Sequence, residues 1–402
     1  MSATAMRRGA CPSLPAPMPT GDGLLARLQP VEPMTFDHVV GLARLAHELG
    51  NGILEVTARG KLQIRGLTPV STPRLEEGVA TLAIALPDGF PVEHSALAGL
   101  DPAAHADPRT LAAAISEGAT SLVPRLAPKA SVTLDAGGAL SLAALKADIA
   151  LTATGTGWTV TLAGRPAGTV EDARAAGLVV ALLGDLAQAG PQARMDEFLA
   201  REGLAALAAR HALTLGADTP ARETTDPVGP HALNDGSFAL GVGLAFGQTR
   251  AEALEALMQA ARAAGARHAE PAAGRALLLV GLARAAVAGL AARADALGFI
   301  TQADDPRRRV FACAGRPACA SARIETHALA VALAPHVRRG ELHVSGCAKG
   351  CAHPASARLT IVGLDEGAGL VVEGTPRDVP AWRVGVARLA EAAREFLDKD
   401  EG

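Results

Sequence analysis

The chain of 402 residues contains an imperfect internal repeat. Residues 34–67 align without gaps with residues 249–282, at a shift of 215 positions. Self-similarity at a fixed shift indicates a duplicated structural unit, so both stretches should adopt the same local fold. Identical pairs include Gly50 and Gly265, Glu55 and Glu270, and Gly66 and Gly281.

Each copy combines a helical pattern with an extended stretch. Apolar residues recur at helical spacing and coincide after the shift: Val39, Leu42 and Ala46 with Leu254, Leu257 and Ala261. Each helix ends at a glycine, a common residue just beyond a helix end, and a strand-like run precedes it. One copy alone is too small for a good core. We therefore predict that the two copies pair about a pseudo-twofold axis, rather than fold as independent modules.

A longer stretch of alternating strands and helices follows each copy. Strands are predicted at 131–134, 149–153 and 158–162 after the first, and at 308–312, 341–344, 359–362 and 370–372 after the second. Proline- and glycine-rich segments mark a tail and a linker. The predicted division is a mobile tail (1–20), a first half-domain (21–98), a first α/β domain (99–215), a second half-domain (216–298) and a second α/β domain (299–402).

Composition narrows the functional classes. The net charge of −3 gives no argument for nucleic acid as a partner. No uninterrupted apolar run is long enough to predict a membrane-spanning helix. Five cysteines are too few for a secreted disulfide scaffold, so we expect a reducing, cytoplasmic compartment. The oligomeric state cannot be predicted from the sequence.

Four of the five cysteines form a metal-binding pattern. Cys313 and Cys319 are separated by five residues, and Cys347 and Cys351 by three. Four thiolates in two short loops can bind zinc or an iron–sulfur cluster. Structural zinc usually has closer pairs, so this spacing favours a [4Fe–4S] cluster over zinc. The remaining cysteine, Cys11, lies in the predicted tail.

Residues 56–65 are predicted to form one strand with a basic face. Alternate residues of a strand share a face, and the opposite face here is apolar. The second copy lacks charges at the equivalent positions. A one-sided basic face predicts a ligand with carboxylates, against the alternative of a solvated surface, and Arg27 could join it. The residues of this face are Thr57, Arg59, Lys61, Gln63 and Arg65.

Together, the cysteine spacing, the doubled order of domains and the pattern T-x-R-x-x-x-Q-x-x-G at 57–66 resemble the sirohaem nitrite/sulfite reductase superfamily. The resemblance implies an α+β fold, with two ferredoxin-like half-domains pairing pseudo-symmetrically and two α/β domains. It implies that Cys313, Cys319, Cys347 and Cys351 hold a [4Fe–4S] cluster. In that family the last cysteine also bridges to sirohaem iron, and the carboxylates of the tetrapyrrole lie over the basic strand.

Within the superfamily, the closer resemblance is to the precorrin-3B synthase family. It rests on RGACPS (8–13), TGDGLLAR (20–27), the arginines at 307–309 and CAKGCAHP (347–354). The implied reaction is the O2-dependent oxidation of precorrin-3A, with C20 hydroxylation and γ-lactone formation, in aerobic cobalamin biosynthesis. NADH would supply electrons through a separate reductase. A mononuclear non-haem iron is left open. The implied roles are catalysis by Cys351 and His353, and substrate binding by Arg27, Arg59, Lys61, Gln63, Arg65 and Lys129.

A sirohaem-dependent nitrite or sulfite reductase is the alternative enzyme. Such enzymes surround a small anion with two arginines and two lysines, of which Arg27 and Lys129 match one each. Ser131 stands where the second lysine is expected, and residues 92–99 contain no arginine. These departures favour a tetrapyrrole as the reactant. A zinc-stabilised tetrapyrrole-binding protein is a third hypothesis.

Overall fold

The computed structural model describes residues 12–213 and 222–399. Cys11, together with most of the RGACPS segment and of the predicted tail, lies outside these described residues. Within the two described ranges, no helix combines the length and apolar character needed to cross a membrane.

The first half-domain is a four-stranded antiparallel sheet with two helices, and its strand order is β1-β2-β4-β3. Thr35 begins the first helix, since its Oγ1 accepts a hydrogen bond from the backbone N–H of His38 at 3.2 Å. Leu42 and Ala46 on its apolar face are buried. The elements are β1 (Met18–Thr20), β2 (Gly23–Leu28), α1 (Phe36–Leu49), β3 (Ile53–Val56), β4 (Leu62–Leu67) and α2 (Ser71–Thr81).

The prediction of one strand over 56–65 is wrong. The chain instead reverses between β3 and β4, which pair antiparallel. The backbone N–H of Thr57 donates to the carbonyl of Lys61 at 2.9 Å, and Gly60 has a φ of +75°. This left-handed conformation suits glycine and lets the hairpin close. Alternation along the sequence therefore does not put Arg59 and Arg65 on one face.

The first α/β domain is a mixed five-stranded sheet in the order β5-β6-β7-β8-β9. The first three strands are parallel and the last two are antiparallel. The elements are β5 (Val92–His94), α3 (Arg109–Gly118), a 3₁₀ helix (Thr120–Arg125), β6 (Val132–Asp135), β7 (Ile149–Thr154), β8 (Gly157–Leu162), β9 (Arg165–Val170), α4 (Asp172–Ala189), α5 (Met195–Glu202) and α6 (Leu204–Arg210).

The second half-domain repeats the first, with the strand order β10-β11-β14-β13. One additional strand, β12, leaves this sheet and extends the sheet of the first half-domain. The elements are β10 (Gly229–Ala232), β11 (Phe238–Gly243), β12 (Gln248–Arg250), α7 (Ala251–Ala263), β13 (His268–Ala272), β14 (Ala276–Leu282) and α8 (Arg284–Ala296).

The half-domains pair through reciprocal contacts. Thr249 pairs with Leu54, and Met34 pairs with Ala269. The shift of 215 positions converts the first pair into the second, as a twofold axis requires. The buried faces of α1 and α7 belong to one hydrophobic core that spans both half-domains. The predicted pairing about a pseudo-twofold axis is thus confirmed.

The second α/β domain has the topology of the first, in the order β15-β16-β17-β18-β19. Its helical pattern near 380–397 is shorter than predicted, since it begins only at Leu389. The α+β fold of two paired half-domains and two α/β domains is as predicted. The elements are β15 (Val310–Ala312), α9 (Thr326–Leu333), β16 (Leu342–Ser345), β17 (Ala357–Gly363), β18 (Ala368–Gly374), β19 (Trp382–Val384) and α10 (Leu389–Asp398).

Candidate active site

The two cysteine loops leave the same edge of one sheet. Cys313 and Cys319 follow β15, and Cys347 and Cys351 follow β16. Because β15 and β16 are parallel neighbours, their carboxyl ends and the loops after them lie side by side. All four cysteines are free thiols, Cys351 being the most exposed. All four line one cavity of about 400 Å³, which also receives residues of both half-domains.

The backbone approaches the cysteine sulfurs closely. The N–H of Gly346 donates to Cys313 Sγ at 3.2 Å. A Cβ atom at position 346 would lie 2.7 Å from the Cβ of Ala322, and one at position 21 would lie 2.2 Å from Cys319 Sγ. Glycine is therefore required at position 21 if Cys319 Sγ keeps its place, and at position 346 if Ala322 keeps its place. Burial raises the pKa of the Cys313 thiol, and the N–H of Gly346 offsets part of that rise.

All four cysteines line the same cavity. In residues 12–213 and 222–399, no three His, Cys, Asp or Glu side chains group closely enough to hold a single metal ion. Four separated thiols around one cavity match the donor set of an iron–sulfur cluster.

Facing the cysteines, the wall from the first half-domain is a charged network. Arg65 donates from Nε and Nη2 to the two carboxylate oxygens of Asp22, at 2.8 and 2.7 Å, and from Nη1 to Glu55 at 3.3 Å. Burial alone would raise the pKa of Asp22, but the hydrogen bonds and charge of Arg65 lower it. For Glu55, burial prevails over Arg65 and raises its pKa. Arg65 is thus already paired with two carboxylates.

Gln63 links Arg27 to this network. Oriented to satisfy both neighbours, its amide oxygen accepts from Arg27 Nε at 2.8 Å, and its nitrogen donates to Glu55 at 2.5 Å. Arg27, Gln63 and Arg65 all line the cavity that contains the cysteines. Three of the six predicted substrate-binding residues therefore lie together beside the four predicted cluster ligands.

The other three predicted substrate-binding residues do not line this cavity. Arg59 and Lys61, at the end of the first hairpin, contact the buried carboxylate of Glu93 on β5. Arg59, Lys61 and Glu93 line a second, smaller pocket. Lys129 is exposed, in the loop before β6, and lines neither cavity.

His353 lies one layer behind the cavity wall. Its ring is 4.0 Å from that of Phe311, and its Nε2 is 3.2 Å from Glu341 Oε2. Phe311 lines the cavity, whereas His353 does not. The predicted catalytic role of His353 stays a prediction, since a ring separates it from the open space.

Sequence reasoning missed a further cation. Arg275, in the turn between β13 and β14, lines the cavity with its guanidinium 4.4 Å from the centre of the Phe311 ring. Alternation along a continuous strand does not select this position, because Arg275 aligns with Gly60, which lies between the residues of the predicted basic face. The repeat contains a signal for Arg275, because it aligns this residue in the second hairpin turn with Gly60 in the first.

Three comparisons bear on the class of the protein. The NirA protein of Mycobacterium tuberculosis superposes with a TM-score of 0.75, over 94% of this chain and 81% of that chain, at 19% identity. This likeness shows that the chain has the fold of the nitrite/sulfite reductases. No family model matches the sequence.

The family follows from a curated relative. The chain is 38% identical to the precorrin-3B synthase of Sinorhizobium sp. over 421 aligned positions, which cover 98% of this chain and 91% of that protein. The chain therefore belongs to the precorrin-3B synthase family.

Proposed function

We propose that this chain catalyses the O2-dependent oxidation of precorrin-3A in aerobic cobalamin biosynthesis, by hydroxylation at C20 and formation of a γ-lactone. One atom of O2 enters the product and the other leaves as water, with two electrons supplied by NADH through a separate reductase. The observation that carries the proposal is one cavity lined by four free cysteines and by three arginines, Arg27, Arg65 and Arg275. Family membership supports the choice of substrate.

Cys313, Cys319, Cys347 and Cys351 would hold a [4Fe–4S] cluster. The separated thiols, the close approach at Gly21 and the N–H of Gly346 directed at Cys313 Sγ support this assignment. A bound cluster would supply one-electron transfer into the cavity. Cys351, the most exposed of the four thiols, faces that space most openly.

The charged wall would orient the substrate. Precorrin-3A carries several acetate and propionate groups, which arginine recognises through paired hydrogen bonds. Arg65 is held by Asp22 and Glu55, so its remaining N–H groups are fixed donors rather than a flexible clamp. Fixed donors favour one orientation of a ligand, as hydroxylation at a single carbon requires.

Of the two residues matched to the anion-binding set of a reductase, Arg27 lines the cavity and Lys129 does not. Ser131 bonds to Asp148, with its Oγ 3.1 Å from Oδ2, and Lys129 is exposed. In the segment where a second arginine was expected, Glu93 is paired with Arg59 and Lys61. A six-electron reduction of a small anion is therefore less well supported than oxidation of a bound macrocycle.

An anaerobic ultraviolet–visible spectrum of the protein after reconstitution with iron and sulfide tests the assignment. A broad visible shoulder that is lost in the Cys351→Ser variant is expected. An additional sharp Soret-type band would favour the sirohaem reductase, and a colourless protein would contradict both enzymes. Incubation with precorrin-3A, O2 and an electron source should then add one oxygen atom to the tetrapyrrole, by mass spectrometry. Unchanged substrate mass with an intact cluster would refute the proposed reaction.

A further inference from the structure

The pseudo-twofold axis relates two pockets of unequal character. The first is the cavity lined by the cysteines, hereafter the thiol cavity. The second, hereafter the mate pocket, is formed by β5, the loop after β6 and the tip of the first hairpin. The shift of 215 positions carries residues 55–58 of the thiol cavity onto residues 270–273 of the mate pocket. The two pockets therefore occupy equivalent places in the duplicated fold.

In the mate pocket, the tip of the hairpin binds a carboxylate of the chain itself. Arg59 Nε lies 2.9 and 2.8 Å from the two oxygens of Glu93, and Lys61 Nζ lies 2.7 Å from Oε1. The Glu93 side chain is only 8% exposed. Its pKa would be raised by burial, but these two cations lower it, so the carboxylate is charged at neutral pH.

The thiol cavity has a phenyl ring at the place of that carboxylate. Glu93 is the second residue of β5 and pairs with the second residue of β6. Phe311 is the second residue of β15 and pairs with the second residue of β16. The first hairpin reads Arg-Gly-Lys at 59–61, and the second reads Gly-Arg-Ala at 274–276. Each hairpin thus presents a cation to the equivalent strand. Arg59 meets the carboxylate of Glu93 on β5, whereas Arg275 meets the ring of Phe311 on β15.

Arg275 is bonded to backbone carbonyls rather than to a carboxylate. It donates from Nη1 to the carbonyl of Val310 at 3.0 Å and from Nη2 to that of Arg308 at 2.6 Å. No carboxylate of residues 12–213 or 222–399 lies within ion-pair distance of it. Burial, together with the charge of Arg308, lowers the pKa of Arg275 to about 10, and the more distant carboxylate of Glu341 offsets a smaller part of that change, so Arg275 remains a cation at neutral pH. A guanidinium has five N–H donors, and the two carbonyls use only two of them.

The backbone of Arg275 also favours a functional reason for its presence. Its φ is +63°, in the left-handed region that the first hairpin fills with Gly60 at +75°. A side chain in this conformation carries an energetic cost that glycine avoids.

We infer that Arg275 is a carboxylate subsite of the thiol cavity, and that it binds one peripheral carboxylate of the tetrapyrrole in the way that Arg59 binds Glu93. The inference rests on the proposed function for the identity of the ligand. The two carbonyl contacts and the Phe311 ring fix the guanidinium, so its remaining donors point in one direction. Arg275 would position the macrocycle relative to the four cysteines.

Anaerobic binding of precorrin-3A to the reconstituted protein tests the subsite, because binding is measured without turnover. Arg275→Met should weaken binding roughly 10- to 100-fold, the usual effect of losing a hydrogen bond to a charged group. Phe311→Glu should weaken it similarly, because the new carboxylate would pair with Arg275 as Glu93 pairs with Arg59. Arg307→Met is the matched control, since Arg307 pairs with Asp305 outside the cavity and should bind as the wild type does.

Each outcome decides a separate point. Wild-type affinity in Arg275→Met, or in Phe311→Glu if Arg275→Met does not fold by circular dichroism, would overturn the subsite and leave the proposed function intact. Failure of the wild type itself to bind precorrin-3A would overturn the proposed function, and the inference with it.

Discussion

The ion pair of the mate pocket should stabilise the fold, and Glu93→Gln tests this. The substitution keeps the size of the side chain but leaves Arg59 and Lys61, which are 29% and 18% exposed, without their anion. Removing one partner of a buried ion pair typically costs 3–5 kcal/mol. Because both cations retain some solvent, we expect about 3 kcal/mol, at the lower end of that range.

The assay is urea unfolding followed by tryptophan fluorescence. Trp158 is buried in the same sheet as Glu93 and reports on the first α/β domain, whereas Trp382 in the second domain is half exposed. Far-ultraviolet circular dichroism shows whether both domains unfold together. The triple variant Arg59→Met, Lys61→Met, Glu93→Leu is the control, because replacing all charges by apolar groups should restore most of the stability.

The effect should also depend on pH. The pKa of Glu93 is lowered in the folded state, so its contribution is present above the pKa of an unfolded glutamate, near 4.3, and is lost as the pH falls through the folded value. The difference between wild type and Glu93→Gln should therefore be constant near neutral pH and shrink in acid. A difference below about 1 kcal/mol at pH 7 would refute the reasoning. Reduced precorrin-3A affinity of a folded Arg59→Met variant would instead support the predicted substrate clamp.

Three further outcomes are expected at the thiol cavity. Arg65→Met should lower the free energy of unfolding by about 3 kcal/mol, because Asp22 and Glu55 lose their shared cation; unchanged urea midpoints would contradict this. Gly21→Val should reduce the iron bound per chain after reconstitution, because its Cβ would overlap Cys319 Sγ, and wild-type iron content would show that the loop can move. Cys351→Ser should retain the far-ultraviolet spectrum while losing the visible shoulder, and a retained shoulder would exclude Cys351 as a ligand.

The sequence predicted the large divisions of the fold because the repeat imposes them. Two copies of one unit must share a topology, and neither copy alone can bury enough apolar surface. The prediction of the first hairpin was wrong for a local reason. Alternating charges over 56–65 fit a continuous strand, and they fit equally a tight turn at Gly60 with short strands on both sides. Periodicity cannot distinguish these two structures over ten residues.

The three-residue strand β15 was predicted, within 308–312, but β5 was not. β5 has three residues, and its central position is the charged Glu93, which argues against a buried strand. Only the tertiary pairing with Arg59 and Lys61 makes that position tolerable. The candidate site was predictable where covalent spacing determined it, as at the cysteines. It was not predictable where contacts between distant segments determined it, as in the pairing of Arg59 and Lys61 with Glu93.

The residues that follow β5 and β15 accept equivalent hydrogen bonds in the two α/β domains. Ser95 directly follows β5, as Cys313 directly follows β15. The Ser95 Oγ accepts a hydrogen bond from the backbone N–H of Ala136 at 2.9 Å, and the Cys313 Sγ accepts one from Gly346 at 3.2 Å. Ala136 and Gly346 are the first residues after β6 and β16. The N–H donor is therefore present in both copies of the duplicated sheet. One copy uses it to hold a buried hydroxyl, and the other directs it at a thiol that lines an open cavity.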